Sequence, residues 1–187
     1  MGQIIFLIRV LFWFGVEIFV HFFFNKENTK KHEEKRSKYI MTSLFLFGMF
    51  GGYVLDTQAI DRFFEPFNFI QYIGIIIILI GVFIRVNTIR MLGNAFSVNI
   101  GVHKEQKLLK TGLFSVIRHP AYFGIFLAFI GISISFYNPI TTSFGIVFPF
   151  LGLMYRIKVE ERLLVKYFGD EYKQYQKETK KLIPFII

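Results

Sequence analysis

Long apolar runs alternating with short basic stretches constrain this chain more than any other feature of its sequence. Five such runs are legible, over residues 4–24, 39–55, 69–86, 121–137 and 140–155. A helix crossing hydrocarbon needs about 17–25 residues, so the first run is long enough and the others lie near the lower limit. The fifth gains length if Arg156 and Lys158 snorkel their charged heads to the interface. A soluble domain carries few uncharged runs of this kind, whereas 53% of these 187 residues are hydrophobic and 26 of them are Phe. The pattern predicts an all-α, polytopic integral membrane protein with about five transmembrane helices. Residues 1–187 read as one domain, with two N-terminal helices over 1–68 and a core over 69–187. Arg9, Glu17 and His21 interrupt the first run, which also lacks a basic start, so it reads as a span and not as a secretory signal.

The net charge of +9 does not mark a nucleic-acid binder, which would gather its cations on one face of a soluble domain. Lys26, Lys30, Lys31, Lys35, Arg36 and Lys38 sit between the first two runs. Arg85, at the end of the third run, opens a stretch to the fourth that also carries Arg90, Lys104, Lys107, Lys110 and Arg118. Arg156, Lys158, Arg162, Lys166, Lys173, Lys177, Lys180 and Lys181 follow the fifth. With five spans all three stretches share one side, which the positive-inside rule makes the cytosol. The N-terminus is then outside, and the C-terminus, with whatever site it carries, is cytosolic. An even number of spans breaks this arrangement. Cysteine is absent, so the chain has no disulfide and no thiol nucleophile. His21, His32, His103 and His119 show no metal-ligand spacing.

Chemistry concentrates between Arg85 and Pro184. Asn138-Pro139 makes a tight turn, so the fourth and fifth runs form a helical hairpin. Pro120 opens the fourth run, where its missing N–H costs nothing. The start of that helix, from His119 to Tyr122, then offers free N–H groups and a positive dipole end suited to a carboxylate. The hairpin returns Arg156 and Glu161 to the same membrane boundary, and Arg156 and Glu160 share one helix face. Singly, Arg118, Arg156 and Lys158 read as interfacial anchors, His119 as a polar cap and Glu160-Glu161 as a solvated turn. Gathered at one boundary, they point to an anion-binding site. Glycine spacings at Gly48/Gly52 and Gly124/Ala128/Gly131 read as close helix packing.

These residues also carry a resemblance. Arg85-Val86-Asn87-Thr88-Ile89-Arg90 with Leu92-Gly93-Asn94-Ala95-Phe96-Ser97 resembles the arginine-bearing helix and LGxxFS turn of isoprenylcysteine carboxyl methyltransferases. Leu108-Leu109, Gly112, Phe114 and Arg118-His119-Pro120-Ala121-Tyr122-Phe123-Gly124 resemble their LVxxGxYxxxRHPxYxG signature. Arg156, Glu160, Glu161 and Leu164 match RxxxEExxL, and Phe168-Gly169, Tyr172, Tyr175 and Ile183-Pro184 match the closing FGxxYxxY and IP elements. The likeness covers roughly the C-terminal half. Three positions depart from it: Gln106 stands where the family often has His, Phe114 where Tyr is usual, and Val82 where animal members carry Glu.

The resemblance implies a methyltransferase using S-adenosyl-L-methionine, embedded in a bilayer and acting on a prenylcysteine-like or other lipophilic substrate. If so, the cysteine belongs to the substrate. Gln106, Lys107, Leu108, Leu109, Phe114, His119, Pro120, Ala121, Tyr122 and Glu160 are expected at the cofactor. Phe114 and Tyr122 can pack on adenine or face the sulfonium. Arg156 and Arg85 are expected to hold the acceptor carboxylate. Two alternatives stay open at this point. One is a lipid amine N-methyltransferase, for which Glu161 or His119 would serve as base. The other is a non-catalytic membrane protein of the same fold. A nicotinamide-dependent reductase lacks its glycine-rich fingerprint here.

Overall fold

The computed structural model describes residues 32–55, 68–93 and 108–187, without the side chains of residues 32–35 and 53. The first apolar run, 4–24, and two expected cofactor residues, Gln106 and Lys107, lie outside the described residues. Within them the chain forms helices α1 (His32–Leu55), α2 (Phe69–Leu92), α3 (Pro120–Ile134), α4 (Pro139–Phe168) and α5 (Asp170–Glu178), with a 3₁₀ turn at Gly112–Ser115.

Local chemistry sets the ends. At the start of α2, Asn68 accepts from the Gln71 N–H at 3.1 Å while the Gln71 side chain accepts from the Asn68 N–H at 3.0 Å. At the start of α4, Asn138 Oδ1 accepts from the N–H groups of Ile140 and Thr141 at 2.7 and 3.0 Å, with Pro139 in the first turn. This makes the hairpin the sequence predicts. The fourth run was expected to be helical to residue 137, but α3 stops at Ile134 because the chain turns over Ser135 and Phe136 and reaches a positive φ of 54° at Tyr137. At 15 residues α3 rises only about 22 Å, short of the roughly 30 Å of a hydrocarbon core. Among the described residues, α2 and α4 are long and apolar enough to cross a membrane. Gly169, at φ 60°, ends α4.

The helices pack as antiparallel neighbours, α2 along α3, α3 along α4 and α4 along α1. Between α2 and α3 the backbones approach closely at Gly81 and Gly124, where a Cβ on either would lie 2.6 Å from the carbonyl oxygen of the other, and again at Gly74 and Gly131. Between α1 and α4, Gly52 meets Thr141, and Thr141 donates to the Gly52 carbonyl at 3.1 Å. The small-residue faces thus bring backbones together. The core lies along α3, with Ile125, Phe129 and Ile132 against Ile78 and Leu153. On the other side of α2, Phe69, Ile76 and Phe83 form an exposed stripe at seven-residue spacing, which suits lipid better than water. Antiparallel order puts the start of α1, the end of α2, the start of α3 and the end of α4 at one end of the bundle.

Candidate functional site

At that end the chain between the 3₁₀ turn and α3 is fixed by the tail. Lys180 N–H donates to the Val116 carbonyl at 3.0 Å, and the N–H groups of Arg118 and His119 donate to Lys180 and Lys181 at 2.8 and 3.2 Å. Arg118 reinforces the joint. Its Nε donates to Glu161 Oε1 at 2.7 Å, and its Nη1 donates to the Gln176 carbonyl at 3.1 Å and to the Thr179 carbonyl. His119 Nε2 lies 3.4 Å from the same Glu161 oxygen. Glu161, expected among the catalytic groups, is therefore held in an ion pair of which both side chains are nearly buried.

His119 precedes α3 without capping it by its side chain, and Pro120 occupies the first turn. The Ala121 and Tyr122 N–H groups of that turn have no carbonyl within the helix to bond. Tyr122 stacks on His119, ring centroids 5.7 Å apart and 26° from parallel, and its hydroxyl faces both Glu160 and Arg156. Glu160 Oε1 is 4.0 Å from His119 Nδ1. Its other oxygen, Oε2, is buried and has no hydrogen-bond partner among the described residues.

One turn back on α4, Arg156 is 2% exposed and donates to Ser37 Oγ of α1 at 2.7 Å. Arg85, also buried, donates to the Ala121 carbonyl at 3.4 Å, tying α2 to the first turn of α3. The structure thus gathers Arg85, His119, Ala121, Tyr122, Arg156 and Glu160 at one corner. Leu108 and Leu109 are half-buried ahead of the 3₁₀ turn. Phe114 is buried, and its carbonyl accepts from Tyr175 Oη at 2.5 Å. Burial pushes the Tyr175 phenol up to about 12, although the Arg118 charge opposes the shift, so it stays a donor at neutral pH.

Sequence reasoning did not find Ser37 or the partnership of Arg118 with Glu161, and it met Tyr172 only as part of the closing motif. Ser37 carries no motif and lies 119 residues from its partner. Arg118 stood inside the signature, but its partner on α4 follows only from the hairpin's register.

The described residues thus form a helical bundle with two helices long and apolar enough to cross a membrane and a cluster of arginines, carboxylates and a histidine at one end. The family model of the isoprenylcysteine carboxyl methyltransferase (ICMT) family matches residues 73–166. The chain belongs to this family. A "Probable protein-S-isoprenylcysteine O-methyltransferase" of Oryza sativa subsp. indica is 31% identical over 65% of the chain and 65% of its own length. The protein-S-isoprenylcysteine O-methyltransferase of Saccharomyces cerevisiae is 33% identical over 61% of the chain and 48% of its own length. The chain thus spans less than two thirds of the curated relatives it matches. A solved structure of the eukaryotic intramembrane Ras methyltransferase ICMT shares the fold with a TM-score of 0.57 at 24% identity, covering 84% of this chain and 55% of that one. The matched segment holds Arg85, His119, Arg156, Glu160 and Glu161, and leaves out Ser37 and α5.

Proposed function

We propose that this chain transfers a methyl group from S-adenosyl-L-methionine to the carboxylate of an isoprenylcysteine or a similar lipophilic acid. The observation that carries the reading is the buried, unpartnered Glu160 Oε2 beside the uncapped start of α3, one turn from the buried Arg156. A buried carboxylate oxygen left unpaired costs about 1–3 kcal/mol or more, which a cationic ligand group relieves. The proposed cofactor carries both an ammonium and a carboxylate, and this corner offers a match for each. Glu160 would hold the ammonium, and the Ala121 and Tyr122 N–H groups the carboxylate. When bound, the cofactor supplies an electrophilic methyl group.

Arg156 would hold the acceptor carboxylate through its planar fork, with Ser37 and Tyr122 fixing the guanidinium. Arg85 braces the first turn of α3 from the other side. A carboxylate is already a nucleophile, so the protein needs no general base, only alignment and the exclusion of water. Glu161 has a positioning role in this reading, because Arg118 and His119 already engage it. That engagement speaks against Glu161 as the base an amine acceptor would need, which leaves His119 for that role. The relatives named for isoprenylcysteine O-methylation support the carboxylate acceptor.

In this reading the chain crosses the bilayer five times, with its N-terminus outside and the site at the cytosolic end. The common end shared by Ser37, Arg85, Arg118 and Arg156 supports it. Greasy acceptors enter from the bilayer between helices and the polar cofactor from the cytosol. The test is methyl transfer by detergent-purified protein from labelled S-adenosylmethionine to farnesylated N-acetylcysteine. Base-labile label that disappears in Glu160→Ala is the expected result. Label on an aminophospholipid alone would overturn the carboxylate acceptor.

A further inference from the structure

The proposed chemistry leaves α5 without a role beyond packing. Its two tyrosines lie edge to face, ring centroids 5.9 Å apart, and both are buried. Their hydroxyls end differently. Tyr175 Oη donates to the Phe114 carbonyl. Tyr172, 1% exposed, has a buried hydroxyl with no hydrogen-bond partner among the described residues. Buried polar atoms in native proteins are nearly always partnered, so an orphan calls for an explanation. A tyrosine that only fills space would be served equally well by phenylalanine.

The second orphan is Glu160 Oε2, next in sequence to Glu161, which Arg118 ties to the Gln176 carbonyl of α5. The charges that Tyr172 feels are those of Glu161, Glu160 and Arg118. Burial raises its phenol well above the usual range, and the two carboxylates push the same way, so the hydroxyl keeps its proton. Glu161 Oε1 already receives Arg118 and faces His119, whereas Glu160 Oε2 receives nothing among the described residues. A buried neutral donor and a buried acceptor, left open on the two helices that Arg118 joins, are what a ligand bearing ammonium and hydroxyl groups would fill.

We propose that Tyr172 is a cofactor-contacting residue, its hydroxyl hydrogen-bonding the polar part of the methyl donor beside Glu160. The inference rests on the proposed cofactor reading and extends the site to α5, outside the segment the family model matches.

The experiment measures S-adenosylhomocysteine binding by calorimetry, and thermal unfolding without ligand, for the full chain, Tyr172→Phe, Tyr175→Phe and Glu160→Gln. Tyr172→Phe should weaken binding about tenfold and leave ligand-free stability equal or higher, because it removes an unsatisfied group. Tyr175→Phe should show the reverse weighting, with stability lost through the Phe114 bond. Tyr172→Phe combined with Glu160→Gln should lose less than the sum of the two, as groups sharing one ligand do. Binding that depends on Glu160 but is unchanged in Tyr172→Phe overturns the role of Tyr172 and leaves the cofactor reading standing. A Tyr172→Phe protein that loses stability in proportion to its affinity shows a packing role and also overturns it. No binding by the unaltered chain overturns both.

Discussion

Arg118 and Arg156 are both buried at the same end of the bundle, and what each one grips differs. Arg118 joins three parts of the chain that the fold alone would leave loosely connected. Its partners are Glu161 on α4, the Gln176 carbonyl on α5 and the Thr179 carbonyl of the tail. Arg156 instead reaches hydroxyls, Ser37 on α1 and Tyr122 on α3. A guanidinium locked to a carboxylate of its own chain is a staple, because the protein anion neutralises it. A guanidinium held in part by neutral hydroxyls of two other helices can present its planar fork to a ligand, and in the proposed reading that ligand is the acceptor. The comparison separates two carboxylates as well. Glu161 belongs to the staple, and in the proposed reading Glu160, its neighbour in sequence, belongs to the ligand.

The largest expected effect tests the acceptor half of this division. Arg156→Ala should lower methyl transfer by on the order of 10²-fold or more while S-adenosylhomocysteine binding stays near its original value. Arg156→Lys should recover little, since a point charge cannot reproduce the planar fork. Equal loss of transfer and cofactor binding in Arg156→Ala would erase the distinction between the two arginines.

The staple half is tested by stability. Arg118→Ala leaves Glu161 buried without its main partner, and breaking a buried pair in this way costs about 3–5 kcal/mol. Thermal unfolding in detergent should show a large drop. Adding Glu161→Gln should restore part of it, because the stranded charge is then gone. If Arg118→Ala unfolds normally but no longer transfers methyl groups, Arg118 belongs to the acceptor site and the comparison is wrong.

What could be read before the fold was known follows the range of each interaction. The hairpin was legible because Asn138 and Pro139 carry their own turn chemistry. The start of α3 was legible from Pro120. Its end was not, because the turn at Tyr137 depends on backbone geometry that an apolar run does not encode. The gathering of His119, Arg156 and Glu160 followed from the hairpin, whereas the assignment of Glu161 did not. Its partner Arg118 lies 43 residues away, and only register decides which of two adjacent glutamates an arginine meets. Ser37 was hidden for the same reason, since a serine in a basic linker looks like any solvated serine until α1 lies against α4.

Ser37 gives the next effect in size. Ser37→Ala removes the hydroxyl that receives Arg156, and a hydrogen bond to a charged group is worth about 1.5–3 kcal/mol. The consequence should be a rise in KM for the acceptor of about tenfold, with cofactor affinity unchanged and Ser37→Thr close to the original. A purely structural serine would lower stability and move both substrates together. That result would make α1 a packing element and reduce the acceptor site to α2, α3 and α4.

The smallest effect concerns the staple's outer edge and depends on pH. The Tyr175 phenol ionises at about 12 in the folded chain against an ordinary value of 10.0, chiefly because it is buried. A raised phenol means that the folded state holds its proton where the unfolded state has lost it. The associated stability is complete below pH 10 and declines as the pH rises from 10 toward 12. Unfolding measured across that window should therefore show a downward slope that is shallower in Tyr175→Phe. At neutral pH the same variant should lose only about 1 kcal/mol, the net value of one hydrogen bond. Arg118 lies close enough to oppose the shift. Removing its charge with Arg118→Met should leave the onset near pH 10 and carry the decline to higher pH, if the joint stays folded. An unchanged upper end would show that the Arg118 charge does not reach the Tyr175 phenol.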